Sequence, residues 1–165
     1  KRGDRIQLHH CRKVPARALP AAYHLNYSAR PLLRVVPGLE AQHFPADALA
    51  RFYQGGFTVS PQSNRMGIRL DGDPLPVAAI PEQVSSGLCP GTVQLPPNGL
   101  PIVSFVEGQT IGGYPRIAHV ISADLHRLGQ LAPGARLDFE VVERETAHRI
   151  LAGKSRLLAE LSQQL

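Results

Sequence analysis

The stretch GLCPGTVQLPPNGLPIVSFV, residues 87–106, decides how this chain is read. Two apolar runs, 92–95 and 102–106, are held apart by Pro-Pro-Asn-Gly, and Pro-Gly at 90–91 opens the first. Proline fixes φ and Asn-Gly gives access to φ > 0, so the stretch reads as strand, turn, strand. The run IVSFV is almost continuously apolar, as expected of a strand covered on both faces or closed into a barrel.

Working outward, the same pattern recurs. Segments 5–8, 32–36, 57–60, 66–70, 116–121 and 136–142 also read as strands, and turn dipeptides separate them at 37–38, 55–56, 71–72, 112–113 and 133–134. Eight short strands in one small domain imply a barrel or a sandwich. Alternation is clearest in RLDFEVV, residues 136–142, where Leu137, Phe139 and Val141 point one way and Asp138 and Glu140 the other. Helices are expected at 45–54, with proline in the first turn, at 123–131 behind Ser122 as N-cap, and at 144–165. The last carries Ala147, Ile150, Leu151, Leu158, Leu161 and Leu165 at helical spacing and is read as docking on the domain's own body. Residues 9–33, with Pro15, Pro20 and Pro31, read as an extended arm. The expected division is 1–32 for the end of a preceding domain and the arm, 33–143 for the barrel, and 144–165 for the C-terminal helix.

Composition narrows the function. At 165 residues and 43% hydrophobic, the chain holds one core. No apolar run approaches the roughly 20 residues that span a bilayer, so no membrane partner is expected. Two cysteines, Cys11 and Cys89, make no disulfide framework and fit the cytoplasm, which leaves the Asn26-Tyr27-Ser28 sequon idle. A net charge of +5 raises nucleic acid as a partner, but the basic residues are scattered and tryptophan is absent, so none is expected.

Several motifs fail on spacing. Gly153-Lys154-Ser155 ends like a phosphate-binding loop, but His148 stands where the first glycine belongs. His9-His10-Cys11 lacks a second ligand pair, so no metal is expected. His119 reads as a barrel-wall histidine, and no nucleophile elbow occurs. What remains is a set of neutral polar groups, Gln94, Asn98, Gln109 and Thr110, which donate and accept without charge, beside Gly112 and Gly113, which let backbone approach a ligand. Arg65, between hydrogen-bonding residues and a glycine before a strand, reads either as a clamp for a carboxylate or phosphate, or as a surface arginine.

Four blocks now carry a resemblance: RVVPGLE (34–40), SPQSNRMGIRL (60–70), GLCPGTVQLPPNGLPIV (87–103) and QTIGGYPRIAHVISADL (109–125). In this order and at these separations they resemble the C-terminal half of the family of the 5-oxoprolinase C-type subunit, which is also called allophanate hydrolase subunit 2 or the KipI antagonist family. That family is related to the carboxyltransferase region of urea carboxylase. The likeness covers about residues 33–145. Leu39 departs from a common proline and Ile111 from a common threonine, which removes one hydroxyl beside the expected pocket.

The resemblance implies a mainly β, cyclophilin-like closed barrel with a few peripheral helices. It also implies a heteromeric enzyme, inactive as this chain alone, in which the N-terminal half of the same polypeptide and two further proteins, resembling the B-type and A-type components of 5-oxoprolinase, take part in converting 5-oxoproline to glutamate. ATP enters through the assembled complex. Two alternatives stay open: a protein-binding module of the KipI-antagonist type, and a biotin-dependent carboxyltransferase region acting on a urea-like amide. On the matched positions Arg65 would hold an anionic group. Gln94, Asn98, Gln109 and Thr110 would orient amide and oxyanion atoms, and Gly112, Gly113 and Tyr114 would shape the wall. No catalytic residue is named by the resemblance.

Overall fold

A period-two burial pattern builds the fold, and a computed structural model describes it over residues 2–7, 16, 18–25, 27–28, 30–77 and 83–164. The strands are β1 (Leu32–Pro37), β2 (Phe57–Val59), β3 (Gly67–Asp71), β4 (Ser86–Gly87), β5 (Thr92–Gln94), β6 (Ile102–Ser104), β7 (Ile111–Gly112), β8 (Arg116–Val120) and β9 (Arg136–Val141). Seven close into a barrel in the order β1-β8-β5-β6-β3-β2-β9, sealed by β1 and β9 running parallel, with Leu33 opposite Phe139. The expectation of a mainly β closed barrel is met, and closure rules out the sandwich. β4 and β7 form a separate two-stranded ribbon.

Inside the barrel, Leu33, Val35, Val59, Leu70, Val93, Val103, Ala118, Val120 and Leu137 are fully buried. Helix α1 (Ala46–Gln54), with Pro45 as its N-cap, contributes Phe52, whose ring stacks on Phe139 at 4.5 Å between centroids. Each fully buried aliphatic side chain stabilises the fold by about 1.5–3 kcal/mol against an exposed one.

Four local expectations are corrected. Residues 5–7 are not a strand, since their one large apolar side chain, Ile6, is 85% exposed and has no face to cover. Val141 is exposed because β9 reaches its last barrel pair there. The helix expected from Ser122 is a 3-10 turn (Ser122–Asp124) followed by one turn of α2 (Leu125–Leu128), and Ile121 takes the N-cap position. Helix α3 (Arg144–Gln164) forms, yet it packs on the body only through its N-terminal half: Ala147 and Leu151 lie beside Val36 and Ile121, and Lys154 Nζ donates to Ala123 O at 2.9 Å. Beyond Lys154, Leu157 and Leu158 are exposed. Cys11, Asn26 and the His9-His10-Cys11 run lie outside the described residues.

Buried charge fixes two junctions. Asp124, with no exposed surface, accepts from the Arg34 backbone N–H at 3.1 Å and from its Nε at 2.8 Å, tying β1 to the turn before α2. Burial alone would raise the Asp124 carboxyl, but the Arg34 hydrogen bonds win and hold it below its usual range. Glu40 clasps Arg116, accepting from its backbone N–H at 3.0 Å and its Nε at 2.7 Å.

Candidate functional site

β3, β6 and β5 run side by side, and their registers decide which side chains share a face. Ile68 sits opposite Val103, and Val103 opposite Val93; all three are buried. Residues one step along therefore project from the outer wall. Arg69, Ile102 and Gln94 form one row across three strands, and Gly67 with Ser104 forms a second. A register shift between β5 and β8 falls at Val93/Gln94. Such irregularities re-aim side chains, and this one lies where Gln94 leaves the regular ladder.

Polar groups on an outer wall are normally wet, yet Gln94 is 9% exposed and Ser104 6%. The β4–β7 ribbon crosses this face. Leu88 N–H donating to Thr110 O at 2.8 Å extends the ribbon's own pairing, and Arg116 Nη1 of β8 donating to Gly87 O at 3.0 Å ties it to the barrel. Gly112 presses so closely that a Cβ there would lie 2.9 Å from Gln94 Nε2 and 2.5 Å from Leu88 Cδ1. Between wall and ribbon lies a cavity of about 480 Å³. Its rim at β3 is shaped by Asn64, whose Oδ1 accepts from Met66 N–H at 2.8 Å and Gly67 N–H at 3.3 Å.

The structure gathers five of the expected residues around this cavity: Gln94, Gln109, Gly112, Gly113 and Tyr114. Three it does not. Arg65 sits in the turn before β3, and its guanidinium meets Glu107 at 2.6 Å while 72% exposed. Asn98 spends its side-chain oxygen on Leu100 N–H at 3.1 Å and lines a smaller pocket of about 60 Å³ that shares only Arg69 and Ile102 with the cavity. Thr110 contributes its carbonyl to the ribbon and is itself exposed. The guanidinium that lines the cavity is Arg69, which has no ion-pair partner among the described residues. Asn64, Ser85, Ser104 and Ile102 line it too and were not singled out from sequence. Alternation around buried Ile68 and Leu70 was the signal that could have found Arg69. Ile111, the departure from threonine, lines the cavity while 62% exposed.

His119 sits on another part of the outer wall, where its Nδ1 lies 3.3 Å from Thr92 Oγ1 and burial pushes its pKa down. A third cavity, of about 310 Å³ between Tyr27, Leu131 and Ala135, is distant in sequence from these strands. No helix among the described residues is long and apolar enough to cross a membrane.

The closed barrel thus carries on its outer wall a cavity lined by the amides of Asn64, Gln94 and Gln109, the hydroxyl side chains of Ser85, Ser104 and Tyr114, and the Arg69 guanidinium, which has no ion-pair partner among the described residues. Comparison with known proteins places it further. Residues 1–141 match the carboxyltransferase domain family, subdomains A and B, and the chain belongs to that family. It is 39% identical over 133 residues to the 5-oxoprolinase C-type subunit of Escherichia coli K12, covering 81% of this chain and 43% of the relative. It is 36% identical over 121 residues to the 5-oxoprolinase C-type subunit of Haemophilus influenzae, covering 73% of this chain and 39% of that one. The chain thus spans about two-fifths of the curated relatives it matches. The Kluyveromyces lactis urea carboxylase shares the fold, with a TM-score of 0.73 over 81% of this chain and 13% of that one at 22% identity. The resemblance read from the four sequence blocks agrees with these findings.

Proposed function

We propose that this chain forms part of a protein like the 5-oxoprolinase C-type subunit, and that its outer-wall cavity binds the cyclic amide during ATP-dependent opening of 5-oxoproline to glutamate. Two curated relatives above 35% identity carry the name of that 5-oxoprolinase component. The observation that carries the reading is the cavity itself, where neutral amide side chains line the same space as a guanidinium that has no ion-pair partner among the described residues. An unstrained lactam is a poor electrophile, and coupling its opening to ATP is chemically reasonable. Gln94, Gln109 and Ser104 would orient the amide, and Arg69 would take the anionic end that sequence reasoning gave to Arg65.

Nucleotide binding falls to other parts of the assembly in this reading. Gly153-Lys154-Ser155 lies within α3, and Lys154 is engaged with Ala123 O and with His126 Nδ1 at 2.8 Å, which does not fit a phosphate loop. The remaining parts are B-type and A-type partner proteins and the rest of the C-type polypeptide. The test is reconstitution: the complete C-type polypeptide with its B-type and A-type partners hydrolyses ATP only when 5-oxoproline is present. ATP consumption independent of 5-oxoproline, or none in any combination, refutes the reading.

A second reading is favoured by the family match and the urea carboxylase fold: a carboxyltransferase region that brings a carboxylated biotin to a urea-like amide. The cavity's amide donors and acceptors suit that acceptor equally. Biotin-dependent carboxylation of a urea-like amide by the same assembly, without ring opening of 5-oxoproline, would favour it. Tight binding of a protein partner with no turnover of either kind would instead favour a KipI-antagonist-type module.

A further inference from the structure

We infer that Gln94 is the specificity-determining residue of the outer-wall cavity, reading the edge of a cis amide, while Arg69 holds a carboxylate on the same small ring. The inference rests on the binding role proposed above and adds which residue selects which part of the ligand.

Gln94 is nine-tenths buried, and its side chain makes no hydrogen bond among the described residues; the same holds for the Ser104 hydroxyl. No fully enclosed side-chain nitrogen or oxygen among those residues lacks a partner. The unpaired Gln94 and Ser104 groups therefore open onto the cavity they line. An unpaired, nearly buried amide is costly unless a ligand or water completes it. Its neighbours hold it in place, with Gly112 against Nε2 and the β5 irregularity at its backbone.

A primary amide presents one acceptor and one donor along the same edge. Its two-point complement is another amide whose N–H and C=O lie on one side. An open-chain secondary amide prefers trans by about 2.5 kcal/mol and cannot offer that edge, whereas a small lactam or cyclic ureide must. The row Arg69, Ile102, Gln94 adds the rest. Its ends are two strand spacings apart, roughly 10 Å between backbones. Both long side chains can lean over Ile102, which supplies an apolar floor for ring carbons. The fitting ligand is a five- or six-membered ring that presents a cis amide edge and bears a carboxylate on one of its ring carbons.

Four probes separate these contacts, with binding to the full chain measured calorimetrically: 5-oxoproline, N-methyl-5-oxoproline, 2-pyrrolidone and dihydroorotate. Wild type should prefer 5-oxoproline to its N-methyl derivative and to 2-pyrrolidone, each by about ten-fold or more. Gln94→Leu should abolish the first preference and keep the second; Arg69→Gln should do the reverse. Circular dichroism checks that both variants remain folded, and Gln94→Met, unbranched and close in length, repeats the test should leucine perturb the wall. If both preferences survive in both variants, or if no probe binds wild type at millimolar concentration, the inference is overturned. If dihydroorotate follows the pattern and 5-oxoproline does not bind, the assignment of Gln94 and Arg69 stands while the oxoprolinase reading falls. Turnover of 5-oxoproline by an assembly carrying both substitutions at the wild-type KM overturns the inference and leaves that reading intact.

Discussion

Replacing Asp124 with alanine removes the one charged side chain that is fully buried among the described residues. Its carboxylate accepts from the Arg34 N–H at 3.1 Å, Nε at 2.8 Å and Nη2 at 2.5 Å, with Arg127 Nε 3.6 Å away. Without it the Arg34 guanidinium, 26% exposed, faces a methyl group in a space it cannot easily leave. Breaking a buried pair from one side costs about 3–5 kcal/mol. Partial exposure of Arg34 puts the expected loss at the lower end, about 3 kcal/mol. At about 2–4 °C per kcal/mol for a chain of this size, the melting temperature should fall by roughly 6–12 °C. Urea denaturation of Asp124→Ala beside the double variant Arg34→Met, Asp124→Leu provides the assay. Because the double variant leaves no guanidinium stranded at position 34, it should recover part of the loss, short of full recovery because the Arg34 N–H and Arg127 still lose Asp124. A single variant within about 1 kcal/mol of wild type, or a double variant as unstable as the single, would refute this account of the β1 junction.

Two glycines should respond differently to alanine: at Gly38 the new Cβ would lie 2.0 Å from Arg116 O, so backbone must move and the soluble, folded yield should collapse. At Gly112 it meets only side-chain ends, so thermal stability should change little while ligand binding weakens; equal melting temperatures for the two variants would contradict this. Acid should destabilise the fold in two windows. His126, lowered from 6.5 by burial and then by Lys154, is kept neutral when folded, so stability is lost as pH falls below about 6.5, where the unfolded chain takes up the proton first. Glu40, lowered from 4.5 by its Arg116 hydrogen bonds, adds a second loss as pH falls below the ordinary carboxylate range; His126→Gln should remove part of the first window alone. Arg65→Ala should shift stability by less than about 1 kcal/mol and leave ligand affinity unchanged, since it breaks only an exposed ion pair outside the cavity; a large loss of binding would restore Arg65 to the site.

The barrel was legible because its seven strands carry inward apolar residues at period two or are apolar throughout, as in the IVSFV and IAHVI runs. The ribbon was not. Ser86–Gly87 and Ile111–Gly112 are two residues each, too short for any periodicity, and their pairing joins segments far apart in sequence. That ribbon turns an ordinary outer wall into a covered cavity, so the site's neutral lining was visible while its location was not. Turn context draws attention to Arg65 and leaves Arg69 unremarked, yet side-chain direction in a turn follows no period. In the strand it does, and Ile68 and Leu70 pointing inward send Arg69 to the cavity face. Asn98 looked available as a ligand group, but short polar side chains in turns bond their own backbone first.

The most direct test of the outer-wall site is a crystal structure of the chain with 5-oxoproline or dihydroorotate bound. The ring should lie over Ile102 beneath the Ile111–Gly112 strand, its carboxylate at Arg69 and its amide edge at Gln94. A ligand seated between Tyr27 and Ala135, or inside the barrel, would contradict the account.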